Sequence, residues 1–290
     1  MIRNVQKIYP PPQFHWVGNG FRVHNFFPGN TDIGMYRMSP FFVMDYASKF
    51  EFPPSEIPRG VDVHPHRGIE TVTVAYRGKI AHHDSAGNGG IIGEGDVQWM
   101  TAGKGILHKE YHEKEFNAKG GDFQMVQLWV NLPKKFKMTE PKYQELTYDE
   151  GSKYHNHDKS ATVHVVCGEY KGIKGKAECF VPISLFDVKI AKDTELDFSF
   201  PENHNTGLLL VEGRITINHQ TEVTENQFAL FENSGSDFTL TASENAKILI
   251  LSGEPIDETI VAYGPFVMNT KEEIMQAYED YRNGKFGTLE

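Results

Sequence analysis

Helical periodicity is missing from almost the whole of this chain. In its place come short runs rich in Val, Ile, Thr and aromatic residues, among them IETVTVAY at Ile69, FQMVQLWVNL at Phe123, TGLLLVEGRITI at Thr206 and AKILILSG at Ala246, separated by glycine and proline turns. Branched and aromatic side chains suit a pleated surface, and closely spaced turns leave no room for crossover helices, so the chain is expected to be all-β, as barrels or sandwiches. The exception is TKEEIMQAYEDYRNG near the end. There Thr270 and Glu273 have capping-box spacing, Ile274, Ala277, Tyr278 and Tyr281 share a face, and Asn283-Gly284 supplies a stop, which predicts one C-terminal helix.

An internal repeat sets the domain count. Tyr76-Arg77-Gly78-Lys79-Ile80 matches Val211-Glu212-Gly213-Arg214-Ile215 at an offset of 135, and GDVQWM at Gly95 matches NQFALF at Asn226 at an offset of 131. Both copies of the first match read as strand, glycine turn, strand. Two tandem β-barrels with the same wiring account for this, and the 290 residues are about twice the usual size of one domain. The expected division is 1–133 for an N-terminal metal-binding barrel and 134–290 for linker, degenerate second barrel and helix. Residues 132–146 carry two prolines and no alternation, which suits a linker, with the KKFK run at Lys134 as a solvated loop.

Charge and composition exclude several roles. The 29 Lys and Arg against 39 Asp and Glu leave a net charge of −10, so the long-range field repels phosphate backbones and anionic lipid. No direct nucleic-acid or membrane partner is expected, and no apolar run approaches the roughly 18 residues of a membrane span. The start, MIRNVQKIYPPP, lacks an apolar leader. A cytoplasmic monomer is the expectation, with Cys167 and Cys179 as reduced thiols, since two cysteines build no disulfide framework in a chain this size. P-loop, nucleophile-elbow and CxxC motifs do not occur.

The chemistry is concentrated in two dyads. His64 and His66 stand two apart in a strand-like segment followed by Glu70, and His108 and Glu110 repeat the spacing. Side chains two apart on a strand share a face, so two such strands meeting across a barrel can gather three imidazoles and one carboxylate about one point. A lone HxH in a strand is commonly incidental. Two dyads of matched spacing within one repeat unit point to a metal. Along a strand His112 is too far from His108 to share one ion, so Glu110 is preferred as the fourth ligand. Glu70 is open between ligand, partner orienting a histidine, and unrelated buried group, with the orienting role favoured. The His82-His83 pair reads as an exposed loop. Phe41, Phe42, Met44, Trp99 and Met100 could rim a pocket for a planar ring, though core packing is their commoner use.

The second copy is an internal control. Carrying the dyads forward by the two offsets lands on Ser199 and Pro201, and on Thr239 and Thr241. None of these replaces a histidine-rich set, and His204 and His219 reproduce neither dyad, so one metal per chain is expected, in the first copy.

The runs HPHRGIETVTVAYRGKIAHHDSAGNGG, GDVQWMTAGKGILHKE, QLWVNLP and GPFVMNTKEEIMQAY strongly resemble the pirin family of the cupin superfamily. The resemblance implies a bicupin of two tandem antiparallel β-barrels with one divalent metal in the N-terminal one, held by His64, His66, His108 and Glu110. Fe(II) is the implied occupant, and Mn, Ni, Cu or Zn suit the same ligands. It also implies a quercetin 2,3-dioxygenase activity, opening a small planar flavonol with dioxygen and loss of carbon monoxide. For such a reaction Glu110, the one carboxylate among the four ligands, is the expected base toward the 3-hydroxyl. The other implied role is a metal- or redox-responsive regulator bound to a partner protein.

Overall fold

The computed structural model describes residues 1–29 and 32–290. They form two all-β units of cupin type and one longer helix. The first unit pairs a seven-stranded antiparallel sheet with a four-stranded one. The large sheet runs, in spatial order, Lys142–Leu146, Val97–Thr101, Ile69–Arg77, Gly121–Asn131, Phe41–Phe52, Phe21–Phe27 and His15–Val17, and the small one Gly60–His66, Ile106–His112, Ile80–Asp84 and Gly89–Ile92. The sheets are not closed barrels, but their inner faces meet. Ala47, Ala75, Phe123 and Met125 of the large sheet pack with Ile80 and Ile92 of the small one.

The second unit repeats the plan. Its large sheet runs Val5–Tyr9, Phe228–Phe231, Asn205–Glu212, Ala246–Gly253, Ile183–Ile190, Ala161–Cys167 and Ser152–His155, and its small sheet Glu195–Ser199, Asp237–Ala242, Arg214–Ile217 and Thr221–Thr224. The repeat read from the sequence is physical. Gly78 and Gly213, at φ +78° and +87°, turn equivalent hairpins, and Gly95 and Asn226, at +88° and +67°, precede equivalent strands. These are left-handed turns, which glycine and asparagine adopt at least cost.

The chain does not divide at residue 133. Met1–Pro12 and Tyr36–Pro40 join Asp149–Pro255 in one unit, while Gln13–Met35, Phe41–Tyr148 and Ile256–Glu290 form the other. The reason lies at the sheet edges. Val5–Tyr9 pairs with Phe228–Phe231 and Lys142–Leu146 with Val97–Thr101, so in each unit the equivalent edge is covered by a strand from outside the repeat. The supposed linker is therefore partly a strand. Within it Lys137 is buried, not solvated, and its ammonium donates to Gly68 O, Asn131 Oδ1 and Val267 O at 2.7–2.9 Å. Burial lowers its pKa to about 7.

The helix spans Lys271–Arg282 with the expected capping box, and it belongs to the first unit. Ile274 and Ala277 pack against Phe266, Met268 and Phe286. Tyr281 stays 39 % exposed, and Asp280 takes an inward place, 2.9 Å from the Arg67 guanidinium. Lys285 and Arg67 together hold the Asp280 carboxyl down at about 2 despite desolvation.

Cys167 and Cys179 are joined in a disulfide, against the expectation of free thiols. The intervening segment folds back through a two-strand ladder, Glu169–Tyr170 with Ile173–Lys174, and Gly175 N to Gly168 O and Ala177 N to Val166 O bonds bring the second cysteine alongside the first. No helix among the described residues is long and apolar enough to cross a membrane.

Candidate metal centre

Both dyads lie on the small sheet of the first unit and meet as paired neighbours. His64 stands opposite His108 and His66 opposite Ile106 in the antiparallel ladder. A register shift between His108 and Glu110 then sets Glu110 opposite Val61. The three imidazoles converge, with ring centroids 4.2 Å apart for His64 and His108, 4.9 Å for His66 and His108, and 5.0 Å for His64 and His66. One ligand atom from each lies within 4.8 Å of the others. Glu110 meets the same spacing with His108 and His82, so His108 is common to both groups.

Each side chain is held from behind. His64 Nδ1 lies 2.8 Å from Asp62 O, and His66 Nδ1 lies 3.2 Å from Pro265 O, so the returning C-terminal segment orients a histidine of the first strand. Glu110 reaches across to the large sheet. Its Oε1 accepts from Gln98 Nε2 at 3.0 Å and Thr73 Oγ1 at 3.2 Å, and its Oε2 accepts from Gln127 Nε2 at 2.6 Å. Those three donors occupy one cross-strand row, Gln127 opposite Thr73 and Thr73 opposite Gln98.

The electrostatics favour neutral imidazoles. Burial first, then the neighbouring His64, lowers His66 to about 3, and His108 is driven well below its ordinary value by burial and the surrounding histidines. His108 Nε2 is buried with no hydrogen-bond partner. A buried lone pair left unmatched costs on the order of 1–3 kcal/mol. Three imidazoles gathered about one point, with a carboxylate within reach of one of them, form a donor set that suits a divalent cation.

Other sequence expectations fall elsewhere. Glu70 does not share a strand with His64 and His66, because Gly68, at φ +80°, breaks the segment and Glu70 lies on Ile69–Arg77. Alternation turns it to the face opposite Thr73, where Thr101 Oγ1 donates to it at 2.7 Å and burial raises it to about 7. The role of orienting a histidine is thus corrected. His112 is bound to Gly20 O at 2.9 Å and enclosed by Phe52 and Phe123, away from the three imidazoles. Trp99 shares the Glu70 face by the same alternation. Phe42 and Met100 do pack beside the site with Trp129, whose ring stands edge-on to His66 at 4.8 Å.

His82 is the main residue the sequence reading missed. It is fully buried within Ile80–Asp84, 3.4 Å from His108 Nδ1, while His83 is exposed and stacks on Tyr111. The signal was present, since His82 and Asp84 form a third dyad of the same spacing. The adjacent His83 hid it.

Comparison with known proteins agrees with this fold. The pirin family profile matches residues 20–130, and that of the pirin C-terminal cupin domain matches residues 185–287. A Pseudomonas aeruginosa protein named, provisionally, as a quercetin 2,3-dioxygenase is 44 % identical over 285 residues, covering 98 % of this chain and 99 % of that one. A solved quercetin 2,3-dioxygenase from Acinetobacter baumannii superposes with a TM-score of 0.93 at 43 % identity over the full length of both chains. A bacterial pirin of Escherichia coli, solved with nickel(II), shares the fold at a TM-score of 0.64 and 18 % identity, over 86 % of this chain and all of that one.

Proposed function

The chain belongs to the pirin family, and from that premise we propose that it is a metal-dependent dioxygenase that opens a flavonol such as quercetin. The observation that carries the reading is the convergence of His64, His66 and His108, with an unmatched buried nitrogen on His108. The residues that would hold the ion are these three and Glu110, with Fe(II) the proposed occupant. When bound, a divalent ion supplies a Lewis acid toward the flavonol oxygens and a redox centre for dioxygen. The rest of the work falls to the chain.

Trp129 and Phe42, stacked with ring centroids 6.4 Å apart beside His66, offer an apolar wall against which a planar ring would lie. Glu110 is the proposed base for the 3-hydroxyl proton. Thr73, Gln98 and Gln127 fix its direction, so the carboxylate does not need to be ordered when substrate arrives. The same proposal takes the protein to be a cytoplasmic monomer.

The test is metal analysis of protein purified without chelators or nickel resin, followed by oxygen-electrode assay with quercetin. About one equivalent per chain and quercetin-dependent oxygen uptake are expected. Glu110→Gln should keep its metal and lose about 10²-fold or more in turnover. Metal-loaded protein that consumes no oxygen with quercetin would overturn the dioxygenase reading and leave the regulatory one. A Glu110→Gln variant with wild-type turnover would remove Glu110 as base.

A further inference from the structure

We infer that Asp84, His82 and Gln98 form a hydrogen-bond relay that selects the His108 tautomer and leaves its Nε2 free for the metal. The inference rests on the reading of His108 as a ligand. It follows from two carboxylates that can only accept. At one end Glu110 Oε1 takes a hydrogen from Gln98 Nε2 at 3.0 Å, which fixes the direction of the Gln98 amide. The same Gln98 nitrogen lies 3.1 Å from His82 Nδ1, so that ring nitrogen is an acceptor. At the other end His82 Nε2 lies 3.5 Å from Asp84 Oδ2, so Nε2 carries the hydrogen. Both ends favour the same His82 tautomer, and Asp84 is the acceptor that holds its hydrogen on Nε2.

The consequence passes to the ligand. His82 Nδ1 is also 3.4 Å from His108 Nδ1. Because the His82 nitrogen presents a lone pair, shared between two donors, the hydrogen belongs to His108 Nδ1. His108 Nε2 then keeps its lone pair, and it is this nitrogen that is buried without a partner.

The relay is built to hold still. Asp84 Oδ1 accepts from Ala86 N at 2.9 Å and Asn88 N at 3.0 Å, and Asp84 Oδ2 from Asn88 Nδ2 at 3.0 Å. The His82 ring stacks on Tyr143 with centroids 5.1 Å apart and planes 16° from parallel. Both His82 and Asp84 are buried, so water does not compete for either. These are positioning residues acting through His108, and a metal-bound imidazole with its other nitrogen fixed by such a partner is both better aimed and more basic.

The experiment reads the tautomers directly in metal-free protein labelled with ¹⁵N-histidine, by long-range ¹H–¹⁵N correlation, in the wild type and in Asp84→Asn. The wild type should show hydrogen on His82 Nε2 and on His108 Nδ1. In Asp84→Asn the carboxylate that accepts from His82 Nε2 is lost, and an amide turned with its NH₂ toward that nitrogen competes with Gln98 at Nδ1, so the wild-type tautomers of His82 and His108 should lose population to hydrogen on His82 Nδ1 and His108 Nε2. Ni(II) affinity, measured by competition with a chromophoric chelator, should fall 10- to 100-fold with that change, and Asp84→Glu should restore part of it. Hydrogen on His108 Nε2 in the metal-free wild type overturns the relay without any variant. So does an Asp84→Asn protein that changes neither the His108 tautomer nor the Ni(II) affinity. Wild-type protein that takes up no metal overturns the metal reading instead, while the tautomers still decide the relay.

Discussion

The same architectural position is filled in two ways in the two units. In the first, His64 faces His108 across the small sheet; in the second, the equivalent ladder pairs Phe198 with Phe238, ring centroids 5.5 Å apart, and Leu196 with Leu240. Those four side chains join Phe186, Phe200, Phe231 and Ile248 in one apolar cluster that fills the second unit. The fixed offsets from the sequence miss these counterparts. Ser199, Thr239 and Thr241 instead alternate with the inward residues, and Thr239 and Thr241 bond to the carboxylates of Asp197 and Glu195. A slip of one residue exchanges the two faces of a strand, so an alignment by offset places outward residues where inward ones belong. The lesson is that this fold needs no polar interior, and the histidines of the first unit are an addition to it.

The sharpest way to break this comparison is to copy one interior onto the other. His64→Phe with His108→Phe should lower metal content from about one equivalent to none and remove turnover while leaving the far-UV circular dichroism of the wild type. Retained metal would show that the ligands lie elsewhere. In the second unit, Phe198→Ala should cost about 3–5 kcal/mol in denaturant unfolding, as a large core aromatic does, with metal stoichiometry unchanged. A loss of metal there would mean that the units are not separable in function.

Acid distinguishes the units more gently. In the metal-free protein His66 is lowered to about 3 and His112 to about 4, against 6.5 when unfolded. The unfolded chain therefore binds protons that the folded one refuses, and stability is full above about 6.5 and falls as pH drops toward 4 and 3. Hydrogen exchange should show protection lost first in Ile106–His112 and Gly60–His66, before the Phe198 ladder. Equal loss in both units would contradict the pairing of acid sensitivity with buried histidine. The smallest effect is expected at the helix start, where Thr270→Ala removes half a capping box and should cost about 1 kcal/mol, read by thermal melting.

How much of this was legible depends on range. Alternation along a strand is local, so the dyads His64/His66 and His108/Glu110 could be found by counting, and the capping box at Thr270 likewise. The repeat was legible because Gly78 and Gly213 must adopt the same left-handed turn. Glu70 was misplaced because a single turn at Gly68 ended the strand two residues earlier, and His82 because its exposed neighbour made the pair look like a loop.

The sequence by itself determined the period of the elements, the two-copy plan and the residue types able to hold a cation, since each follows from neighbours along the chain. Only the tertiary structure decided what lies behind those residues. Gln127, Thr73 and Gln98 converge on Glu110 from three strands of the opposite sheet, and Pro265 O reaches His66 from nearly 200 positions along the chain. The edge strand Val5–Tyr9 likewise leaves its own half of the sequence to complete the other. Such contacts are set by how sheets face one another and which edges need covering, and the spacing of residues along a chain carries no record of either.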